Sequence, residues 1–556
     1  MSDQTASGKK ITARPGRAAR FDPWSAGAVI IALIVLAPIV AVLGIALFPT
    51  DNIWPHLMST TLPRYLRNTL ILMCSVGLLT AMVGTGAAWI VVRYRFPMSR
   101  WIEWLLLLPL AVPGYVGAYA LVDLLEYAGP VQTGMRAVFG WQNARDYWFP
   151  EIRSMGAAIL VLSASLFPYV YLLSRAAFRE QSGSSEEVAM SLGAGAFSRF
   201  RRVGLPLARP AIAAGVAIVM METVNDFGTV DFFAVQTLTT GIFSVWLESN
   251  NAGGAAQIAS VVLALVILLV TLEKLSRRKV RFFNLSRQYR PVERKDLSGW
   301  AGALALGLCL VPFCLGFVLP AGVILSHAVG DAGVWRDRGL LDALWNTVSI
   351  GGIAAVITVL AGVFMVYGAR LSGRGLPRLL MPVTTIGYAA PGAVLAVGIL
   401  IPLAVLDHWI ADSVEALAGV DIGLILTGTG FALVLAYGVR FFAIAQGAAD
   451  AAMGRVAPSL PLAARSLGRT QGQTLAEIYY PLIRGSVASA LLLVFVDCVK
   501  ELPATLLLRP PFGFDTLATR VHEQASLENL TGAAPGAMLI IGVGLVAVVL
   551  LARANR

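Results

Sequence analysis

The chain has 556 residues, of which 57% are hydrophobic and only 13% charged. Soluble domains lie nearer half apolar and a quarter charged, so the composition points to a bilayer as solvent rather than to a water-soluble globule. The formal net charge of +11 would suit a nucleic-acid binder, but its placement along the chain excludes that reading.

Apolar blocks of about 20 residues or more, enough to cross roughly 30 Å of hydrocarbon, occur at 27–48, 67–92, 102–124, 156–178, 211–233, 253–273, 300–326, 345–368, 379–405, 423–446, 485–508 and 533–553. They predict an all-α polytopic membrane protein with about 12 transmembrane helices. Lys9, Lys10, Arg14, Arg17 and Arg20 precede the first block and imitate a signal peptide. The block is longer than a typical signal-peptide core, so it reads as a retained helix behind a basic cytoplasmic segment, 1–26.

With that end inside, most Lys and Arg fall on the cytoplasmic side, and both termini are expected there. The densest cluster, Lys274 to Lys295, contains nine basic residues. It reads as an inner-face linker touching anionic lipid, not as a nucleic-acid arm. Cys74, Cys309, Cys314 and Cys498 fall inside apolar blocks and read as small buried hydrophobes. His56, His327, His408 and His522 map to outer loops without ligand-like spacing, so no metal site is assigned.

The sequence repeats itself. "LRNTL" at 66–70 returns as "LWNTV" at 344–348, and "AVPG" at 111–114 as "AAPG" at 389–392, both at an offset of 278. "SLG" at 191–193 returns at 466–468, and Pro206 answers Pro481, at an offset of 275. Two six-helix parallel repeats follow, 27–273 and 300–556, joined by the basic linker 274–299, with a pathway expected between them.

"METVNDFG" at 221–228 carries Glu222 and Asp226, and "VDCVKELP" at 496–503 carries Asp497 and Glu501. Each pair is spaced i, i+4, one helical turn apart. Carboxylates in spanning blocks face the bundle interior or a wet cavity. Two readings stand together: a negative ring lining the pathway, or braces between helices. Pro113-Gly114 and Pro391-Gly392 read as matched mid-helix kinks, one way to shape a gate.

The segment "EEVAMSLGAGAFSRFRRVGLP" at 186–206 is too charged to cross a membrane and lies on the cytoplasmic side. No phosphate-binding loop of the form G-x-x-x-x-G-K-[ST] occurs, so any ATP is hydrolysed by a partner gripping that face. Glu187-Val188-Ala189, Gly193 six residues after the Glu, and Val203-x-Leu205-Pro206 resemble the EAA loop of ABC importer permeases. The copy at 461–481, with Ala463-Ala464, Gly468, Ile478 and Pro481, keeps the spacing, but Leu462 stands where an acid is usual and Tyr480 where Leu is usual. The resemblance implies that both segments dock as short helices into an ATPase dimer. For this role it singles out Glu187, Ala189, Gly193, Leu205, Pro206, Ala464, Gly468, Ile478 and Pro481.

"METVNDFGTVDFFAVQTLTTGIF" at 221–243 and "VKELPATLLLRPPFGFDTLATRVHE" at 499–523 are similar to the fused, double-length permeases of iron(III) importers. This implies a type I ABC importer permease fold in a bacterial inner membrane, a homodimeric ATPase below and a periplasmic iron(III)-binding protein above. ATP then binds to the partner, and Fe³⁺ is cargo rather than cofactor. Ferric ion prefers oxygen ligands, which suits the four carboxylates. Permeases for thiamine, polyamines or phosphonates remain alternatives within the class, and an ion-coupled secondary transporter outside it. No nucleophile–base constellation suggests an enzyme.

Overall fold

The computed structural model describes residues 23–49, 52–181, 188–278, 294–330, 332–371, 375–385, 387, 390–510 and 513–554. Most of the N-terminal basic segment, the centre of the basic linker, and Glu187 therefore lie outside the described residues. The membrane-length helices are α1 (Pro23–Leu47), α2 (Leu62–Arg93), α4 (Met155–Glu180), α5 (Ala196–Asn225), α7 (Ala252–Arg278), α8 (Gly299–Gly330), α9 (Arg338–Leu371), α10 (Gly392–Ala418), α11 (Phe431–Gly454), α13 (Gln471–Lys500) and α16 (Leu530–Ala554). Shorter helices complete the set used below: α3 (Gly114–Leu125), α6 (Gly228–Phe232), α12 (Ser459–Ser466), α14 (Pro503–Leu508) and α15 (Leu517–Ser526). Apolar side chains such as Leu33 and Val40 on α1 face outward, 63% and 65% exposed, as a lipid-facing surface requires.

Eleven helices among the described residues are long and apolar enough to span. The pair Ser99–Ala111 and Gly114–Phe139, bent by 93° at its break, makes twelve if it is counted as one broken span. Several sequence expectations are corrected here. Pro113-Gly114 and Pro391-Gly392 are not mid-helix kinks. Each proline is the residue before a helix, with extended ψ of 144° and 149°, and each glycine opens that helix. Proline lacks the N–H that a preceding turn would need, so the chain breaks there instead of bending.

Pro206 and Pro481 do not break their helices. In both copies helix runs straight through them, because a π turn precedes each proline: Leu205 N–H donates to Phe200 O and Tyr480 N–H to Leu475 O. The wider turn accommodates a ring that would crowd an α-helical carbonyl. His327 and His408 lie on α8 and α10 rather than in loops. Cys74 and Cys314 are exposed on spanning helices rather than buried.

The "NT" of each repeated pentapeptide makes the same two bonds. Asn68 Nδ2 donates to Gln236 O at 2.9 Å, and Thr69 Oγ1 accepts from Leu238 N at 3.0 Å. Asn346 Nδ2 donates to Asp515 O at 3.0 Å, and Thr347 Oγ1 accepts from Leu517 N at 2.8 Å. Each pair ties a long helix to a short one that opens with a threonine capping box, at Thr237 and Thr516. The densest packing is also paired, α2 on α4 and α9 on α11.

The halves are not side by side. Helix α1 packs on α10 and α9, and both α8 and α16 pack on the Leu108–Ala111 turn, with α8 also on α3, so each half reaches over the other. Backbones meet closely at these crossings: a Cβ on Gly316 of α8 would collide with Ala164 O, and one on Gly398 of α10 with Pro38 O.

The two loops end their short helices identically. Gly193 and Gly468 have φ of +79° and +81°. Ala194 N donates to Ala189 O and Arg469 N to Ala464 O, while the glycine N–H groups bond Met190 O and Arg465 O. This paired pattern closes a helix and demands a left-handed residue. Replacing Gly468 with valine is expected to cost the turn about 1–2 kcal/mol. Limited proteolysis should then cut near 466–470 while the chain still inserts.

Candidate functional site

The carboxylates singled out by the sequence are brought to one cavity of about 170 Å³ lined by both halves. Glu222 and Asp497 lie on the last turn of α5 and α13. Asp226 and Glu501 do not continue that helix face. Each is the first residue past the helix end, with extended ψ of 131° and 118°, so the expected one-face pairing at i, i+4 stops one residue short.

The reason is a second task. Asp226 accepts from Thr229 N at 3.0 Å, Val230 N at 3.1 Å and Thr229 Oγ1 at 2.9 Å, capping α6. Glu501 accepts from Ala504 N at 3.1 Å, capping α14. A carboxylate at a helix N-terminus satisfies N–H groups that otherwise have no partner and meets the positive end of the helix dipole. The Pro-Gly corners pack against these caps. A Cβ on Gly114 would stand 2.8 Å from Thr229 Oγ1, and one on Gly392 would collide with both Glu501 and Arg440.

Two bases missed by the sequence reading also line the cavity. Arg440 Nη1 meets Glu501 Oε1 at 3.0 Å with the Glu501 side chain 1% exposed, and Lys500 Nζ meets Asp497 Oδ1 at 3.2 Å. The expected negative ring is therefore half balanced. Basic residues within apolar blocks were the available signal: Arg440 in "YGVRFF" and Lys500 in "VKELP". Among the described residues no three His, Cys, Asp or Glu side chains are placed to share a metal ion.

Asn225 Oδ1 and Tyr115 Oη, on residues of the cavity wall, are buried without a hydrogen-bond partner. Such a group costs about 1–3 kcal/mol when left unmet.

Nearby, His522 on α15 joins the halves. Its Nδ1 lies 2.9 Å from Tyr119 Oη on α3, and its Nε2 lies 4.0 Å from Asp231 Oδ2 on α6. Burial, with the Arg509 charge, pushes the imidazole down to about 4 from 6.5.

The described loop residues lie at the far end of the two rods. From Leu205 to Glu222 is about 25 Å of helix at 1.5 Å per residue. Ala189 lies in the short helix before Gly193, and Ala464 is buried in α12. Leu205-Pro206 and Ile478 with Pro481 sit at and just after the π turns. Around them Val188, Met190, Leu192 and Phe197 are exposed, as are Leu460, Leu462 and Leu467. Leu192 and Leu467, equivalent at the offset of 275, are 81% and 82% exposed.

The family model for binding-protein-dependent transport system inner membrane components matches residues 77–282. The Fe(3+)-transport system permease protein FbpB 2 of Haemophilus influenzae is 27% identical over 482 residues, covering 86% of this chain and 87% of that one. The ferric transport system permease protein FbpB of Actinobacillus pleuropneumoniae is 24% identical over 468 residues, 80% of this chain and 64% of its own. The sulfate transport system permease protein CysT of Salmonella typhimurium is 28% identical over 251 residues, 86% of its own length but 43% of this chain.

Two outcomes are expected. Arg440→Met strands a buried Glu501 and should cost about 3–5 kcal/mol of stability, with Arg440→Met plus Glu501→Gln recovering part of it; thermal unfolding of the detergent-purified chain measures both. The lowered His522 value means the unfolded chain takes up the proton first, so stability present above about 6.5 is lost as pH falls toward 4. His522→Gln should flatten that slope.

Proposed function

We propose that the chain, which matches the family model for binding-protein-dependent transport system inner membrane components over residues 77–282, carries iron(III) inward as the membrane pathway of an ATP-driven importer. It is a multi-pass permease subunit without catalytic chemistry of its own. A separate homodimeric ATPase drives it from the cytoplasmic face, where both termini lie, and a periplasmic binding protein delivers the ion from the other side. What most supports the iron reading is similarity to a ferric permease along 86% of the chain.

Coupling runs through α5 and α13, each 30 residues long. One end of each rod carries the exposed leucine turn, and the other ends at the cavity acids. A helix transmits a push along its axis because every turn is internally hydrogen-bonded, and the π turns leave the rods unbroken. The two docking turns share backbone geometry but not chemistry: the first sequence contains Glu187, whereas the second has Leu462 at the matching position. Exposed leucines on both suit an apolar cleft on the partner. One chain supplies both turns, so one chain with two ATPase subunits is the expected assembly. The boundaries 27–273 and 300–556 then mark the two functional halves.

A second reading is favoured by Arg440 and Lys500. Their charges, and the similarity of this chain to a sulfate permease, suit an oxyanion. Uptake of labelled iron against labelled sulfate in proteoliposomes, with the ATPase and binding protein present, decides between them.

Leu192→Asp should weaken ATPase association by about tenfold or more, since burying a charge in an apolar cleft opposes docking. Leu467→Asp should do the same on the second side. Glu187→Ala should lower coupling without unfolding the chain. Co-purification and ATPase activity in nanodiscs measure all three, and wild-type association in both leucine variants would exclude these turns as the docking surface.

A further inference from the structure

The two halves differ where their docking turns meet the spanning helices. In the first half three rings fill that space, Trp89 meeting Phe178 at 5.2 Å and Phe200 at 5.1 Å between centroids. The Trp89 ring lies over Gly204, where a Cβ would collide with it, and Gln181 Nε2 donates to Gly204 O at 3.0 Å. At the repeat offsets of 278 and 275, Trp89 becomes Tyr367, Phe178 becomes Met453 and Phe200 becomes Leu475. Gly204 becomes Tyr479 and Gln181 becomes Val456. With two of the three rings gone, a cavity of about 320 Å³ stands in the second half, and Tyr367, Tyr479 and Val456 form part of its wall.

Three arginines from three elements line the same cavity. Arg370 ends α9, Arg378 lies in the helix Leu376–Thr384, and Arg465 lies in α12, the second docking helix. Arg370 and Arg465 stand where the first half has Val92, only 4% exposed, and Met190. Asp450 orients Arg370 through Nη2 at 2.8 Å. Among the described residues that line the cavity there is no acid.

We propose that this cavity binds a phosphate group, carried by an anionic lipid headgroup or by free phosphate, and that the ligand fastens the second docking helix to the end of α9. The consequence for coupling rests on the docking reading above; the site itself lies away from the cargo cavity and suits either cargo.

A guanidinium presents paired donors that match phosphate oxygens. Walls of one charge sign and low polarity, here arginines among tyrosine, proline and valine, focus the field on an anion. Basic pockets between membrane helices on the cytoplasmic side take lipid headgroups in this way. Leu376 and Leu379, 48% and 68% exposed beside Arg378, offer the apolar surface that an acyl chain would follow. A phosphate between Arg370 and Arg465 would join a spanning helix to a docking helix, the junction that Trp89 on Gly204 makes by direct packing in the first half.

The test uses the full chain with its ATPase in nanodiscs. In one arm, phosphatidylglycerol replaces part of a phosphatidylcholine bilayer, and native mass spectrometry reads the lipid retained. In the other, inorganic phosphate is titrated calorimetrically into phosphatidylcholine nanodiscs. At least one arm is expected to show binding, which Arg465→Gln should weaken about tenfold. Arg100→Gln, at the first-half counterpart of Arg378, should leave it unchanged. Binding in neither arm overturns the proposal, as does unchanged binding in Arg465→Gln or an equal loss in both variants. Should Arg465→Gln fail to assemble, Arg378→Gln decides: about tenfold weaker binding supports the site, and wild-type binding overturns it. The ligand should also raise ATPase activity in the wild type but not in Arg465→Gln, and equal activity with and without ligand overturns the fastening. Arg465-dependent binding with wild-type ATPase association in Leu192→Asp and Leu467→Asp sinks the docking reading alone. Association lost in both leucine variants, without any Arg465-dependent binding, sinks this inference alone.

Discussion

A carboxylate placed one residue beyond the end of a membrane helix organises this molecule. Water is absent from the bilayer interior, so a helix that stops there leaves backbone groups without partners. Asp226 and Glu501 answer that constraint by capping the short helices that follow. The same position opens a cavity, because the chain turns aside where a straight helix would have filled the space. Glycine at the facing Pro-Gly corners is required for the caps to approach, which links Gly114 and Gly392 to the carboxylates through sterics rather than through any hinge of their own.

The readings of these acids as lining or as braces are not exclusive once the geometry is known. Asp226 and Glu501 are occupied by backbone and guanidinium donors, so bracing accounts for their bonds. Glu222 and Asp497 lie one turn earlier, on the rods that run back to the Gly193 and Gly468 turns. The two copies place equivalent residues around the cavity but differ at two of them: Ser165 and Asn225 are neutral, whereas Arg440 and Lys500 are charged. A similar difference separates the loops, where the backbone of the turn is kept but the acid is not. Backbone geometry limits what either copy can change, because only a left-handed residue closes that turn. Side-chain charge carries no such restriction.

The interlocked halves add a further constraint. Helix α1 lies on the second half and α8 on the first, so neither half buries its apolar surfaces alone. His522, bridging α15 to α3, ties them again beside the cavity. Motion between the halves must therefore slide along these contacts rather than separate two independent bundles.

The sequence by itself determined the solvent, the number of spans, the duplication and the loop spacing, because these depend on local hydropathy and on residue order. Apolar blocks declare a membrane helix whatever surrounds them, and Gly193 and Gly468 could be matched by counting. Where the helices break was legible only as proline and glycine. That Pro113 and Pro391 begin helices while Pro206 and Pro481 sit inside them depends on which carbonyl lies four residues back and whether a π turn relieves it. The partners of Arg440 and Lys500, the asymmetry of the cavity wall and the crossing of α1 and α8 were decided by tertiary structure. Each rests on groups distant in sequence meeting in space, such as Arg440 with Glu501 and α1 with α10, and no periodicity along the chain records such a meeting.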